Sequence, residues 1–544
     1  MVTLELARHL TAVSREIGRQ VGVLLSRDGA VRQVVVGDAS GLELPDIGRL
    51  RGGVGRFRGL RLVHTHLRGE PLTADDLNDL AMLRLDLVAV IQADGEGDPG
   101  AVEIAYLDPG AVATDGNGAD PFVRVSAAEV HQLDFHFEET ISALEAEFAR
   151  LASRGVGLAQ GGPGGSGQER GERALVIGVS HEDHTFDEVV ALVGSTDVAV
   201  AGTVRQRRGR LNPATVVGKG KLVEIVLAAM RCGASVAIFD IDLRPAQARG
   251  FEDATGLKTI DRTQLILDVF AQRARSRDGK LQVELAQLKY ALPRLTEKDA
   301  GLSRLTGGIG GRGPGETVLE IGRRRIRDRI RKLEGEIDNL SRQRDVRRRQ
   351  RRRAGLPVLS LIGYTNAGKS SLLNALTEST VEAADQLFVT LDPTSRRLRF
   401  PREGEVVITD TVGFIADLPS DLVTAFRATI EELADADLLF HVADAADPDL
   451  ERKLAAVDRL LEELRLSGIP RLLLLNKADL VSPEELAGLV RRHDALAVSA
   501  RTRAGTRDLI AAAEARLGKR RPFLKRDANQ PARDADGAFP AGLE

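Results

Sequence analysis

Tryptophan is absent from the 544 residues, tyrosine occurs three times, and aromatics make up 3% of the chain. That argues against binding single-stranded nucleic acid by stacking bases on aromatic platforms. One cysteine, Cys232, excludes an internal disulfide framework and a thiolate zinc cluster, and suits a reducing compartment. No run approaches the roughly 18 to 20 apolar residues of a membrane-spanning helix. The opening MVTLELARHLTAVSREIG carries charges where a signal peptide needs an apolar core. A cytoplasmic protein without a membrane span is expected. With 43% hydrophobic and 28% charged residues, the chain can instead bury several cores, in roughly three or four domains.

The net charge of -3 hides an asymmetry. Between Arg323 and Arg353, fourteen arginines and one lysine face five acids, a local charge of +10 that leaves the remainder at -13. Such a field beside an acidic body is expected of a nucleic-acid contact surface, the alternative being a solvated helix face.

Apolar periodicity predicts a multidomain α/β chain. Residues 1–125 alternate strands with a helix at Thr73 to Arg84 and read as a small α/β domain. Residues 126–172 read as a long amphipathic helix from Ser126 to Arg154 and a Gly-rich linker, the clearest boundary in the chain. Residues 173–262 alternate strand and helix, which implies parallel strands with crossover helices. Within 263–354, Leu281, Leu285, Leu288 and Leu292 form one heptad-like seam, and Ile326, Ile330, Leu333, Ile337 and Leu340 another. An antiparallel helical hairpin with basic outer faces follows. The Gly-rich stretch joining its arms, residues 295–317, is longer than an ordinary connection and is expected to be functional or disordered. Residues 355–518 return to α/β alternation, and the tail 519–544 has little to bury.

In VLSLIGYTNAGKSSLLNAL, an apolar strand precedes and a helix follows G-x-x-x-x-G-K-S, Gly363 to Ser370. This is the P-loop context, in which Gly363, Tyr364, Thr365, Asn366, Ala367, Gly368, Lys369, Ser370 and Ser371 surround the phosphates. Lys369 reaches the β and γ phosphates, and Ser370 can ligate Mg²⁺. VVITDTVGF then supplies Asp410 for Mg²⁺ and the Gly413 amide for the γ phosphate. In LLLLNKAD, with Asn476, Lys477 and Asp479, the Asp479 carboxylate can accept from guanine N1–H and N2–H₂, a pair that adenine leaves unsatisfied. AVSAR places Ser499 and Ala500 where a loop closes over guanine O6. Four motifs in this order, each after a strand, point to a GTP hydrolase.

Two features depart from the best-known GTPases. Phe414 follows Gly413 where Ras-like proteins carry the glutamine that orients the attacking water, so slow intrinsic hydrolysis is expected. Asn366 reads either as the mark of a bound K⁺ or as a loop-stabilising residue.

Together with GKGKLVEI, IDRTQLILDVFAQRARSRDGKLQVELAQLKYALPRL, GGIGGRGPGETVLE and DQLFVTLDPTSR, these motifs resemble the HflX family of translation-associated GTPases over about residues 173 to 518. The resemblance implies that Thr390 is the switch I threonine, meeting Mg²⁺ and reading the γ phosphate with Lys369 and Gly413. It also implies binding to the large ribosomal subunit and rescue or dissociation of stalled ribosomes by a monomer. Arg304, Arg312, Arg323, Arg324 and Arg325 are then candidate contacts to ribosomal RNA.

Two further motifs stay open. Gly218, Lys219, Gly220 and Lys221 open a helix after a strand, a weak signal for a second, ATP-binding site in a remodelling factor. LRLVHTHLRGEPLTADDL resembles in spacing the JAMM or MPN pattern H-x-H…S-x-x-D, with His64, His66, Thr73 and Asp76 in those places. The gap is one residue shorter, and threonine replaces serine. A degenerate, structural version of that fold and a Zn²⁺ site are both readings, with Glu16 a candidate partner acid.

Overall fold

The structure is a computed structural model that describes residues 2–44, 57–110, 120–158, 172–206, 209–295, 318–353, 356–377, 394–400, 404–411, 413–414 and 433–518. The chain divides into two compact units, Met1–Val269 and Phe270–Glu544.

The first unit opens with a helix that the sequence reading did not place, α1 (Leu4–Ile17). The Thr3 hydroxyl accepts from Leu6 N–H at its start, and Gly18 ends it at φ 64°. Strands β1 (Val21–Ser26), β2 (Val31–Val36), β3 (Leu60–His66), β4 (Leu87–Ala93), β5 (Pro99–Leu107) and β6 (Phe122–Ala127) form a mixed sheet ordered β2-β1-β3-β4-β5-β6. Helix α2 (Ala74–Met82) crosses between the parallel pair β3 and β4. Helix α3 (Phe137–Leu158) starts eleven residues later than the Ser126 expected. The reason is a ladder: residues 122–127 pair antiparallel with β5, from Leu107↔Phe122 to Val102↔Ala127, so tertiary pairing decides a segment whose local pattern was ambiguous. One sheet face packs on α1 and α3 through Ala7, Leu10, Val63, Ile141 and Phe148; the other packs on α2 through Leu62, Leu77, Leu80 and Val90.

Strands β7 (Arg173–Gly178), β8 (Ala199–Arg205), β9 (Val236–Phe239) and β10 (Lys258–Ile260) form an all-parallel sheet ordered β10-β9-β7-β8. Helices α4 (Asp183–Val193), α5 (Lys219–Cys232) and α6 (Pro245–Thr255) connect its strands, and α7 (Arg262–Arg273) follows. Helix α5 is buried on two faces. Val223, Val226, Leu227 and Met230 enter the core of the six-stranded sheet, while Ile225, Ala229 and Cys232 enter that of the parallel sheet. The elements on either side of the Gly-rich linker that precedes β7 therefore share one core.

In the second unit, α8 (Arg277–Ala291) and α9 (Val318–Arg353) pack antiparallel along the expected seams. Leu281, Leu285, Leu333 and Ile337 are buried there, with Leu288, Ile330 and Leu340 alongside. Each fully buried side chain of this kind is worth about 1.5–3 kcal/mol. Pairs of Arg329 with Glu284, Lys289 with Glu334, and Arg344 with Asp278 fix the register. Six strands follow: β11 (Val358–Ile362), β12 (Thr394–Arg399), β13 (Glu405–Asp410), β14 (Leu438–Asp444), β15 (Arg471–Asn476) and β16 (Leu496–Ala497), in sheet order β12-β13-β11-β14-β15-β16. All neighbours are parallel except β12 and β13. Around them lie α10 (Lys369–Thr377), α11 (Leu450–Glu463), α12 (Pro483–His493) and α13 (Thr506–Gly518). β11 has β13 on one side and β14 on the other, so the strand order reverses at its carboxyl end, where open α/β sheets bind ligands.

Candidate nucleotide site

β11 is buried along its whole length, which suits VLSLI, an almost wholly apolar run between two parallel neighbours. The chain leaves it through a loop that requires glycine at two positions. Gly363 and Gly368 have φ of 146° and 87°, and a Cβ on Gly368 would stand 2.2 Å from Asn476 Nδ2. Asn366 also takes a left-handed backbone at φ 63°, which asparagine tolerates better than most side chains.

Lys369 begins α10 and is buried, its Nζ donating to the carbonyls of Gly363 at 3.0 Å and Tyr364 at 2.8 Å. Burial pushes its ammonium down to about 8, against the opposing pull of Asp410. The Ser370 hydroxyl donates to Asp410 Oδ2 at 2.6 Å, bringing the two expected Mg²⁺ ligands together at the helix N-terminus. A Cβ on Gly413 would lie 2.9 Å from Lys369 Nζ, so the end of the β13 segment closes directly on the lysine. Phe414 locks that approach: its carbonyl accepts from Thr365 N–H at 2.8 Å, and its own N–H donates to Gly363 O at 3.1 Å. Its ring is buried with Ile362, Leu433, Leu439 and Val457.

On the base side, Asn476 is a staple between loops. Its Nδ2 donates to Ala367 O at 2.9 Å, and its Oδ1 accepts from Ala500 N–H at 3.0 Å. The Ser499 hydroxyl donates to Asp479 Oδ1 at 2.5 Å and holds that carboxyl below its ordinary range, helped by Arg501 at 2.6 Å. Lys477, at φ 60°, pairs with Asp444 at 2.7 Å. Neither Asp444 nor Arg501 was singled out in the sequence, although Asp444 ends an apolar strand and Arg501 follows Ala500 directly.

The structure thus gathers Gly363 to Ser371, Asp410 and Gly413 at one end of the sheet, with Asn476 joining them to the loop of Asp479, Ser499 and Ala500. Thr390, Arg304 and Arg312 lie outside the described residues. Arg323 donates to Leu295 O at 3.1 Å, inside the hairpin, and Arg324 and Arg325 are exposed. Lys221 donates to Arg205 O and pairs with Glu224. Gly218 and Gly220 have no positive φ and no neighbour within 4 Å of a Cβ, unlike Gly363 and Gly368. Glu16 is exposed on α1, which packs on the face of the first sheet opposite His64 and His66, so it is not their partner acid.

Residues 183–271 match the family described as GTP-binding GTPase N-terminal, 273–351 the GTP-binding GTPase middle region, and 358–477 the 50S ribosome-binding GTPase. The GTPase HflX of Caldanaerobacter subterraneus subsp. tengcongensis is 44% identical over 351 residues, 64% of this chain and 81% of that protein. This chain belongs to the HflX family of GTPases. The HflX of Escherichia coli K12 is 47% identical over 58% of this chain and 75% of its own length. A GTP-binding protein of Sulfolobus solfataricus solved with GDP is 23% identical, covering 64% of this chain and 99% of that one at a TM-score of 0.37. HflX membership makes the chain a GTP-binding GTPase with a P-loop domain. Among the described residues no helix is long and apolar enough to cross a membrane.

One consequence concerns pH. Nucleotide phosphates favour the charged lysine, so binding raises the Lys369 pKa from about 8 and takes up a proton. Affinity is full below pH 7 and falls as pH rises through 8, approaching tenfold per unit. Calorimetry of GDP binding at pH 8 in two buffers of different ionisation enthalpy should show uptake of about half a proton. No uptake would mean that Lys369 is already fully charged in the free protein.

Proposed function

We propose that this chain binds the large ribosomal subunit and uses GTP binding and hydrolysis to dissociate or rescue stalled ribosomes. The observation that carries the reading is the basic α9, which ends at Arg353 a few residues before β11 of the domain matching the 50S ribosome-binding GTPase. A helix of 36 residues is about 54 Å long, enough to track phosphates across an RNA surface. Several of its arginines are already paired with acids within the hairpin. The contacts to RNA are assigned to exposed arginines at the start of α9, Arg324 and Arg325, and to Arg304 and Arg312 of the Gly-rich loop.

Ser370 and Asp410, 2.6 Å apart beside Lys369, fit a Mg²⁺ ion that neutralises phosphate charge, with Thr390 completing the set. Lys369 and the Gly413 amide hold the γ phosphate; Asp479 selects guanine, and Ser499 and Ala500 close over it. GTP orders switch I (about 382–395) and switch II (413 to about 418), and hydrolysis releases the subunit. The left-handed Asn366 gives that residue a backbone role, and a K⁺ requirement is a separate question for the same assay.

The test is GTP hydrolysis by the full chain in K⁺ and in Na⁺, with and without large ribosomal subunits, and with Lys369→Ala as the blank. Subunits are expected to stimulate by about 10³-fold, as partners do that complete a GTPase site. Absence of stimulation, together with equal subunit affinity in GDP and in a GTP analogue, would sink the proposal.

A further inference from the structure

His64 and His66 lie two residues apart on β3, so both point to the face that carries α2. The first turn of α2 brings Asp76 to them. His64 Nε2 is 3.1 Å from His66 Nε2 and 3.1 Å from Asp76 Oδ1, and His66 Nε2 is 3.6 Å from Asp76 Oδ2. The tautomer of His66 follows from one contact. His66 Nδ1 is 2.9 Å from the carbonyl of Glu70, and a carbonyl can only accept, so Nδ1 carries a proton and, in the neutral ring, Nε2 presents its lone pair. His66 Nε2 and Asp76 Oδ1 each lie 3.1 Å from His64 Nε2, which has at most one proton to serve both. Without a cation, two electron-rich atoms converge on one donor.

We infer that His64, His66 and Asp76 form a site for a divalent transition-metal ion, Zn²⁺ first, in a part of the chain outside the segments that match the GTPase family. A tetrahedral ion with bonds of about 2.0–2.1 Å has ligand edges of about 3.3 Å; His64 Nε2 lies 3.1 Å from both His66 Nε2 and Asp76 Oδ1, and one ligand atom from each residue lies within 4.8 Å of the others. Two imidazole nitrogens and one carboxylate suit a borderline cation, not the all-oxygen sets of Mg²⁺ and Ca²⁺.

The surroundings hold the ligands in place. Thr73 N–H and Oγ1 both donate to Asp76 Oδ2 at 2.7 Å as the cap of α2, and the Glu70 carbonyl orients His66. His64 and His66 are 0% and 2% exposed, whereas the Asp76 side chain is 13% exposed, so the fourth position goes to water on that side.

The experiment uses the full chain, stripped with chelator and dialysed against Zn²⁺. It should retain about one ion per chain. Asp76→Asn and His66→Gln should each lose more than the roughly 100-fold in affinity that removal of an outer partner costs, and Thr73→Ala about 10- to 100-fold. An unchanged first-unit melting transition in the absence of Zn²⁺ reports that the variants are folded. A readout that needs no variant is thermal unfolding of the wild-type chain, whose first-unit transition should rise with Zn²⁺. If the wild type takes up no more Zn²⁺, Co²⁺, Fe²⁺ or Mn²⁺ than Asp76→Asn does, and its melting does not move, the cluster is a hydrogen-bonded His–His–Asp group and the inference is wrong.

Discussion

Asp479→Asn should lower affinity for GDP and GTP by on the order of 10⁴-fold and raise affinity for xanthine nucleotides. The carboxylate is in place before nucleotide arrives: Ser499 fixes Oδ1, and Arg501 stands against Oδ2. Guanine offers two donors, N1–H and N2–H₂, and a carboxylate accepts both. The asparagine amide keeps one acceptor and turns an N–H₂ toward the guanine amino group, leaving two donors facing each other in a closing site. Xanthine carries a carbonyl at that position, which accepts from the new amide. Ser499 can still donate to Oδ1 of the variant, and the Asn476 staple between Ala367 and Ala500 is untouched, so the loops keep their shape. Displacement of fluorescent GDP and XDP from wild type and variant measures both arms. A parallel loss for the two bases would mean that the loop has collapsed and that Asp479 is a structural residue.

How much of this was legible in the sequence depends on whether the deciding contact is local. The phosphate loop was, because strand, glycines, lysine and helix follow one another within VLSLIGYTNAGKSSLLNAL, and their chemistry is set by neighbours in the chain. The hairpin was, because the heptad spacing of Leu281, Leu285, Leu333 and Ile337 is itself the contact. Helix α1 was available but unread. Thr3, Gly18 and the buried Ala7, Leu10 and Ser14 mark it, yet its charges drew attention only as evidence against a signal peptide. The start of α3 was not legible, since residues 122–127 become a strand only because β5 is there to pair with them. The shared core through α5 was equally hidden: apolar residues on two sides of a helix say that both are covered, not that two sheets cover them. At the base site, the sequence identified Asn476 as part of a guanine motif, whereas its contacts reach 109 residues back to Ala367 and 24 forward to Ala500.

Phe414→Gln puts glutamine where Ras-like proteins have it, and is expected not to speed hydrolysis. The side chain at 414 does not face the phosphates. Its ring is 7% exposed and packs with Ile362, Leu433, Leu439 and Val457, while its backbone ties the carboxyl end of the β13 segment to Gly363 and Thr365. A glutamine there either buries its amide among leucines or leaves a void, at a cost of about 3 to 5 kcal/mol. The loss falls beside the phosphate loop, so nucleotide affinity should drop together with stability. Single-turnover hydrolysis at saturating GTP, with a urea midpoint for the nucleotide domain, separates the two effects. Hydrolysis no faster than wild type, with a lower midpoint, keeps Phe414 as a core residue and leaves the attacking water to a group supplied from elsewhere. Faster hydrolysis would mean that the residue leaves its cluster in the GTP state. The 414 side chain would then be part of the catalytic site, and the geometry seen here would belong to an inactive state.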